Sequence, residues 1–202
     1  MNVKEMDILT AHFDKYFEQN DCTVLHPTVD MNPHIDALLY SPTEKYPFWK
    51  LVTMGASDHK MKAPKNALGN RNEYIMAISP DENMSDPNIA NWYYSMLLEV
   101  AMYPVMTGTF ISYGHSMEWP AEEGEEMVGA YIEFPQMIEN PEVLRCKLGV
   151  FKSAICLLVV LINNREKEKL LEGGSENFSS YLFPEDEEHC HFLSEQTRTD
   201  SF

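Results

Sequence analysis

His34-Ile-Asp-Ala-Leu-Leu-Tyr-Ser-Pro42 and Tyr46-Pro-Phe-Trp-Lys-Leu-Val-Thr-Met-Gly-Ala-Ser-Asp-His-Lys-Met61 lie almost end to end in this chain. Each contains an apolar run of strand length, and only Thr43-Glu44-Lys45 separates them after Pro42. Short apolar runs bounded by Pro and Gly read as strands joined by a turn, so residues 34–40 and 48–54 are predicted to be neighbours. The second run closes in Thr53-Met-Gly-Ala-Ser57, which begins a loop.

On the N-terminal side, Met6, Leu9, Phe13, Tyr16 and Phe17 recur at helical spacing and predict an amphipathic helix over 3–19. Thr23-Val-Leu-His26 reads as a short strand before Pro27. On the C-terminal side, residues 55–72 form a long polar loop carrying Lys60, Lys62, Lys65 and Arg71, a local basic patch in an acidic chain. Glu73-Tyr-Ile-Met-Ala-Ile-Ser79 alternates towards a buried strand. Ser85-Asp-Pro-Asn88 supplies helix-start chemistry. Trp92 or Tyr93, Met96, Leu97, Val100 and Tyr103 then give the apolar face of a second helix, predicted to end near Pro104.

Thr109–Tyr113 and Val128–Phe134 read as strands on either side of an acidic loop over 118–126. Lys147–Ile162 is too β-branched for a comfortable helix and is expected to form one or two long central strands. Arg165–Leu171 is a short charged helix stopped by Gly173-Gly174, with a further turn or two over 176–183. Helices and strands alternate without a strict βαβ repeat. The expected fold is therefore one α/β (α+β) domain over 1–183, a mixed, largely antiparallel sheet flanked by helices. Residues 184–202 are polar and acidic and are expected to be a loosely held tail.

The 202 residues carry 32 acidic and 15 basic side chains, a net charge of −17. Residues 118–202 hold 18 of those acids against 7 bases. Direct DNA or RNA binding is disfavoured, because phosphate contact needs clustered Lys and Arg. A basic protein partner fits the charge, and solubility alone accounts for it equally well. No apolar run reaches the roughly 18 residues that a membrane span needs. The first residues lack the basic start and apolar middle of an export signal, so a cytoplasmic location is expected. Cys22, Cys146, Cys156 and Cys190 are scattered and are expected to be free thiols.

Signatures of catalysis are sparse. There is no Gly-rich phosphate loop, no Gly-x-Ser-x-Gly turn and no His-Glu-x-x-His pair. His115, after Gly114, could serve a hydrolase, or could be a loop histidine bonded locally. Ser57, Asp58 and His59 are consecutive, which denies them the geometry of a triad. His189-Cys-His191, beside Glu187 and Glu188, has metal-ligand chemistry without a full ligand set. His34 and Asp36 alternate on one strand face and could meet a ligand or form a polar pair. Trp92, Tyr93 and Tyr94 read as helix packing. Glu122, Glu123, Glu125 and Glu126 lack the apolar surroundings that raise a catalytic acid's pKa and read as a solvated or recognition loop.

In its residues the stretch His34–Met61 resembles the first block of the suppressor-of-fused family: strand, Pro turn, strand and a Thr-x-Gly-x-Ser loop reaching a Met. Leu97-Leu-Glu-Val-Ala-Met-Tyr-Pro-Val-Met-Thr-Gly-Thr109, closing in Gly114-His-Ser116, is similar to its second block. The long strand to Ile162 with the elements ending at Phe183 is similar to a third, so the resemblance covers 34–183. It implies the family's fold and a role in binding, with no catalytic residues to transfer; no enzyme activity, cofactor or metal site is expected, and whether His189, Cys190 and His191 bind a metal stays open. The animal member's second domain, which holds a zinc-finger transcription factor, has no counterpart here, so Hedgehog signalling is not implied. Single-domain bacterial members are similar to immunity proteins that neutralise polymorphic toxins. The resemblance thus implies an antitoxin whose partner is a basic toxin domain, possible nucleases included, with a generic protein-binding module as the alternative. The expected partner-binding residues are Glu122, Glu123, Glu125, Glu126, Glu185, Asp186, Glu187 and Glu188. The oligomeric state stays open.

Overall fold

The computed structural model describes residues 1–119, 126–185 and 191–198. Among them are eight strands and three helices, in the order α1 (Val3–Phe17), β1 (Thr23–Leu25), β2 (Asp36–Tyr40), β3 (Trp49–Met54), β4 (Asn72–Ile78), α2 (Pro87–Thr107), β5 (Ser116–Glu118), β6 (Met127–Glu133), β7 (Arg145–Lys147), β8 (Ser153–Asn163) and α3 (Asn164–Leu182). The strands form one sheet in the order β1-β2-β3-β4-β8-β6-β5, with β7 pairing with β8 off that path. Of the strand pairs among the described residues, β4 and β8 alone run parallel, and the others are antiparallel. The α+β domain with a mixed, largely antiparallel sheet is thus the one the residue pattern predicted.

Period 2 in β8 explains why its sequence is an unbroken apolar run. Cys156, Leu158, Val160 and Ile162 face one core with Leu9, Phe13, Phe17, Leu170 and Phe178 of α1 and α3. Leu157, Val159 and Leu161 face the other core with Tyr93, Leu97 and Val100 of α2. A strand buried on both faces has no polar alternation to show.

Asn2 and Asn163 each build a capping box at a helix start, with Glu5 and Glu166 reaching back to the cap nitrogen. Helix α2 runs three residues past the expected stop at Pro104. Pro104 removes one donor, but it is buried like Val100 and Ala101, and the Gly108 amide donates to its carbonyl. On the same helix Tyr93 is buried, whereas Tyr103 faces outward. Helix α3 is two helical pieces broken at Gly174, where φ is 74°, close to the expected stop.

Two expectations need correction. Thr109–Tyr113 is not a strand; the edge strand is Ser116–Glu118, after the Gly114 turn. There the Gly114 amide donates to the Ile132 carbonyl, so the chain joins β6 only from that point on. The expectation of a loosely held segment from 184 also fails for residues 191–198. The β4–β8 pairing ends at Met76–Val159. Beyond it Ser194 fills the gap: its amide donates to the Ala77 carbonyl (2.7 Å), its carbonyl accepts from Ser79 (3.1 Å), and its hydroxyl accepts from the Leu161 amide (3.2 Å). Phe192 stacks on Phe183 and meets Phe48 edge-on. Otherwise unpaired backbone groups of two diverging strands draw this segment in.

Candidate binding surface and the network behind it

The Thr53–Ser57 loop is organised by Glu73, a carboxylate with no solvent exposure that reaches it from β4. Thr53 Oγ1 donates to it at 2.6 Å, and the amides of Gly55 and Ser57 donate at 3.1 and 3.0 Å. The Tyr74 amide in turn donates to Thr53 Oγ1 (2.8 Å). Arg71 closes the loop from outside, donating to the Ser57 and Asp58 carbonyls. Gly55 sits at φ 128°, and a Cβ there would lie 2.2 Å from the His34 carbonyl oxygen, so only glycine fits. Thr, Gly and Ser at this spacing are therefore the donor set of one buried acid. Burial pushes the Glu73 carboxyl up, opposed by these hydrogen bonds. The residue pattern gave Glu73 a place in a strand but no role, since a Glu in an alternating strand reads as a solvent-facing residue.

Lys50 is a second buried ionisable group that the residue pattern hid. It donates to the Ser41 carbonyl (2.7 Å) and the Gln19 side chain (3.3 Å), beneath the rings of Phe17 and Phe48. Burial lowers its pKa to about 8, with Asp21 acting in the opposite sense.

The tempting constellations separate in space. Ser57 is buried with its amide on Glu73, while Asp58 pairs with Lys152 at 2.7 Å, as Glu5 does at 3.1 Å. His115 is exposed; its backbone bonds to Ser112 and Ile132 and its ring lies edge-on to Phe110. Gly114 before it has φ 80°, the left-handed conformation the turn requires. Tyr93 is core and Tyr94 donates to the Ile35 carbonyl at 2.5 Å. His34 and Asp36 do form a polar pair (3.0 Å), joined by His26, which sequence reasoning missed. Cys22, Cys146 and Cys156 are free thiols.

Of the expected partner-binding acids, Glu126 and Glu185 are described, and both are exposed. Glu122, Glu123, Glu125, Asp186, Glu187 and Glu188 lie outside the described residues, as do His189 and Cys190. The chain segments that carry these two acids both lead back to the start of α3. Glu126 precedes Met127, which pairs with Asn163 at the start of α3. Three residues on, buried Glu166 accepts from Tyr181 at the far end of α3 and binds Arg198, so the helix end leading to Glu185 folds back beside its own start.

Between them α3 presents Glu168, Leu171 and Glu172, all exposed and sharing one face by helical spacing. Lys167 and Lys169 are turned away, towards Glu118 (2.8 Å) and over the Tyr181 ring (3.9 Å). Leu171 is 74% exposed, a large apolar side chain set among carboxylates. No helix among the described residues is long and apolar enough to cross a membrane.

The molecule is thus a three-layer α+β domain whose Thr-x-Gly-x-Ser loop is tied to a buried acid. The profile of the suppressor of fused protein (SUFU) family matches residues 31–193, and the chain belongs to that family. No curated protein matches it. Among solved structures it is similar to a SUFU homologue from Neisseria gonorrhoeae, with a TM-score of 0.68 and 13% identity over 98% of this chain and 97% of that one. It is also similar to the Sufu–Fu complex (TM-score 0.70, 13% identity, 98% of this chain and 91% of that one). Drosophila Suppressor of Fused gives a TM-score of 0.67 at 13% identity over 98% of this chain, but only 51% of its own length is covered.

Proposed function

We propose that this chain is an immunity protein, an antitoxin that acts by binding rather than catalysis and blocks the basic domain of a polymorphic toxin. The observation that carries the reading is the outward face of α3. Glu168 and Glu172 flank exposed Leu171, on the helix to whose start the segments carrying Glu126 and Glu185 both lead back. An apolar anchor ringed by charge is what a protein interface needs: the ring steers a basic partner and the anchor holds it. A relative of the same fold is seen in a complex with Fu, which supports protein binding as the family's mode of action. A nuclease is the best-suited toxin, because carboxylates can occupy a groove built for phosphate.

The test is co-expression with a candidate toxin domain, sought among the products of neighbouring genes. The wild-type chain should restore growth, and Leu171→Ser combined with Glu168→Gln and Glu172→Gln should lose that protection while remaining folded by circular dichroism. Protection unaffected by these three changes would remove α3 from the interface. Toxicity unrelieved by the wild-type chain would leave a protein-binding module without a toxin.

A further inference from the structure

We propose that His26, His34 and Asp36 form a binding site for a late first-row divalent cation such as Zn²⁺. The sheet itself brings them together. Strands β1 and β2 pair with Thr23 opposite Leu39, Val24 opposite Leu38 and Leu25 opposite Ala37. Continued by one step, that register sets His26 opposite Asp36. His34 precedes Asp36 by two residues in extended chain, which places it on the same face. Three ligand-type side chains from two segments thus converge where the hairpin closes.

Their donor atoms already have nearly the right spacing. His26 Nδ1 lies 2.8 Å and His34 Nε2 3.0 Å from the same oxygen, Asp36 Oδ1, and all the candidate ligand atoms fall within 4.8 Å of one another. Zinc–nitrogen and zinc–oxygen bonds are about 2.0–2.1 Å, so donors sharing one ion sit roughly 3 Å apart. The nitrogens now facing the carboxylate are the ones that would face the ion. Two imidazoles and one carboxylate suit Zn²⁺, Co²⁺ or Ni²⁺ better than Mg²⁺ or Ca²⁺, which prefer all-oxygen shells.

Burial divides the work between the three. The Asp36 side chain is 5% exposed and held by the sheet, whereas those of His26 and His34 are 67% and 56% exposed. An ion can therefore enter from solvent onto a rigid carboxylate, and the positions left by three protein ligands stay open to water. The bound ion would tie the end of β1, an edge strand with β2 as its sole strand neighbour among the described residues, to the start of β2.

The experiment titrates the metal-free full chain with Co²⁺, read by its visible absorption, and with Zn²⁺, read by calorimetry. Wild type should bind one ion without thiolate-to-cobalt charge transfer. His26→Ala and His34→Ala should each weaken binding by at least the roughly 10- to 100-fold that loss of even an outer partner costs. Both histidines are largely exposed, so these variants decide the matter even if Asp36→Asn fails to fold. A control with His189→Ala, Cys190→Ser and His191→Ala should bind as wild type does. Absence of binding, binding kept in both histidine variants, or binding lost in the control would each overturn the site and leave the three residues as a hydrogen-bonded cluster.

Discussion

Replacing Glu73 by Ala strips the Thr53–Ser57 loop of the acceptor that organises it. Three buried donors lose their partner: the Thr53 hydroxyl and the amides of Gly55 and Ser57. Each unsatisfied buried donor costs about 1–3 kcal/mol. Relief of the buried carboxylate offsets part of the sum, so the expected loss is about 3 kcal/mol, a large share of the roughly 5–15 kcal/mol that holds a domain together. Glu73→Gln keeps the shape and an acceptor oxygen for the two amides, and should cost about 1 kcal/mol or less. With a urea slope of about 2 kcal/mol/M, the Ala midpoint should fall by more than 1 M and the Gln midpoint by half a molar or less, followed by tryptophan fluorescence. The pH dependence has a definite sign. Because burial raises the folded pKa of Glu73, its contribution is fully present below the ordinary carboxyl pKa near 4.5 and declines as pH rises through the folded value. The gap between wild type and Glu73→Gln should therefore narrow from pH 5 to pH 7. Equal losses in Ala and Gln, or a gap that widens with pH, would refute the reasoning.

Three further outcomes are expected. Lys50 has a folded pKa lowered to about 8, so the wild type should gain stability between pH 8 and 10 relative to Lys50→Met, measured by paired urea titrations; a constant difference would place the amine in solvent. Burial raises the pKa of Cys146 to about 12 and lifts that of Cys156 well above the ordinary thiol value, so neither should react with a thiol reagent in the native protein, while all four cysteines should react after non-reducing denaturation. Fewer than four would indicate a disulfide. Replacing Glu122, Glu123, Glu125 and Glu126 by Gln should slow association with a basic partner and leave the unfolding free energy within about 0.5 kcal/mol of wild type, as surface substitutions generally do.

Much of the fold was legible because its periodicities are local. The β2–β3 pair, the double-sided burial of β8 and the break at Gly174 each follow from residues adjacent in sequence. What escaped was non-local. The polar composition around Phe192 and Ser194 gives no hint that β4 and β8 diverge and leave backbone groups for that segment to satisfy. Thr109–Tyr113 has strand-like residues, but pairing with β6 begins only after the Gly114 turn. Glu73 and Lys50 look like ordinary polar positions of half-buried strands, because burial on both faces depends on helices far away in the chain. His26 has no motif around it and gains its meaning from the β1–β2 register alone. The acidic loop and tail were conspicuous by composition, whereas the Glu168–Leu171–Glu172 face became visible only once Lys167 and Lys169 were seen to turn away from it.

The most direct test of an acidic, toxin-blocking surface is the association rate with a basic toxin domain, measured across ionic strength by surface-based kinetics alongside inhibition of the toxin's activity. Exposed charges are screened beyond about 8 Å at physiological salt. The account predicts a stoichiometric, inhibited complex whose association rate falls steeply as salt rises while its dissociation rate changes little. An association rate indifferent to salt, or a toxin left fully active by a stoichiometric excess of this chain, would contradict it.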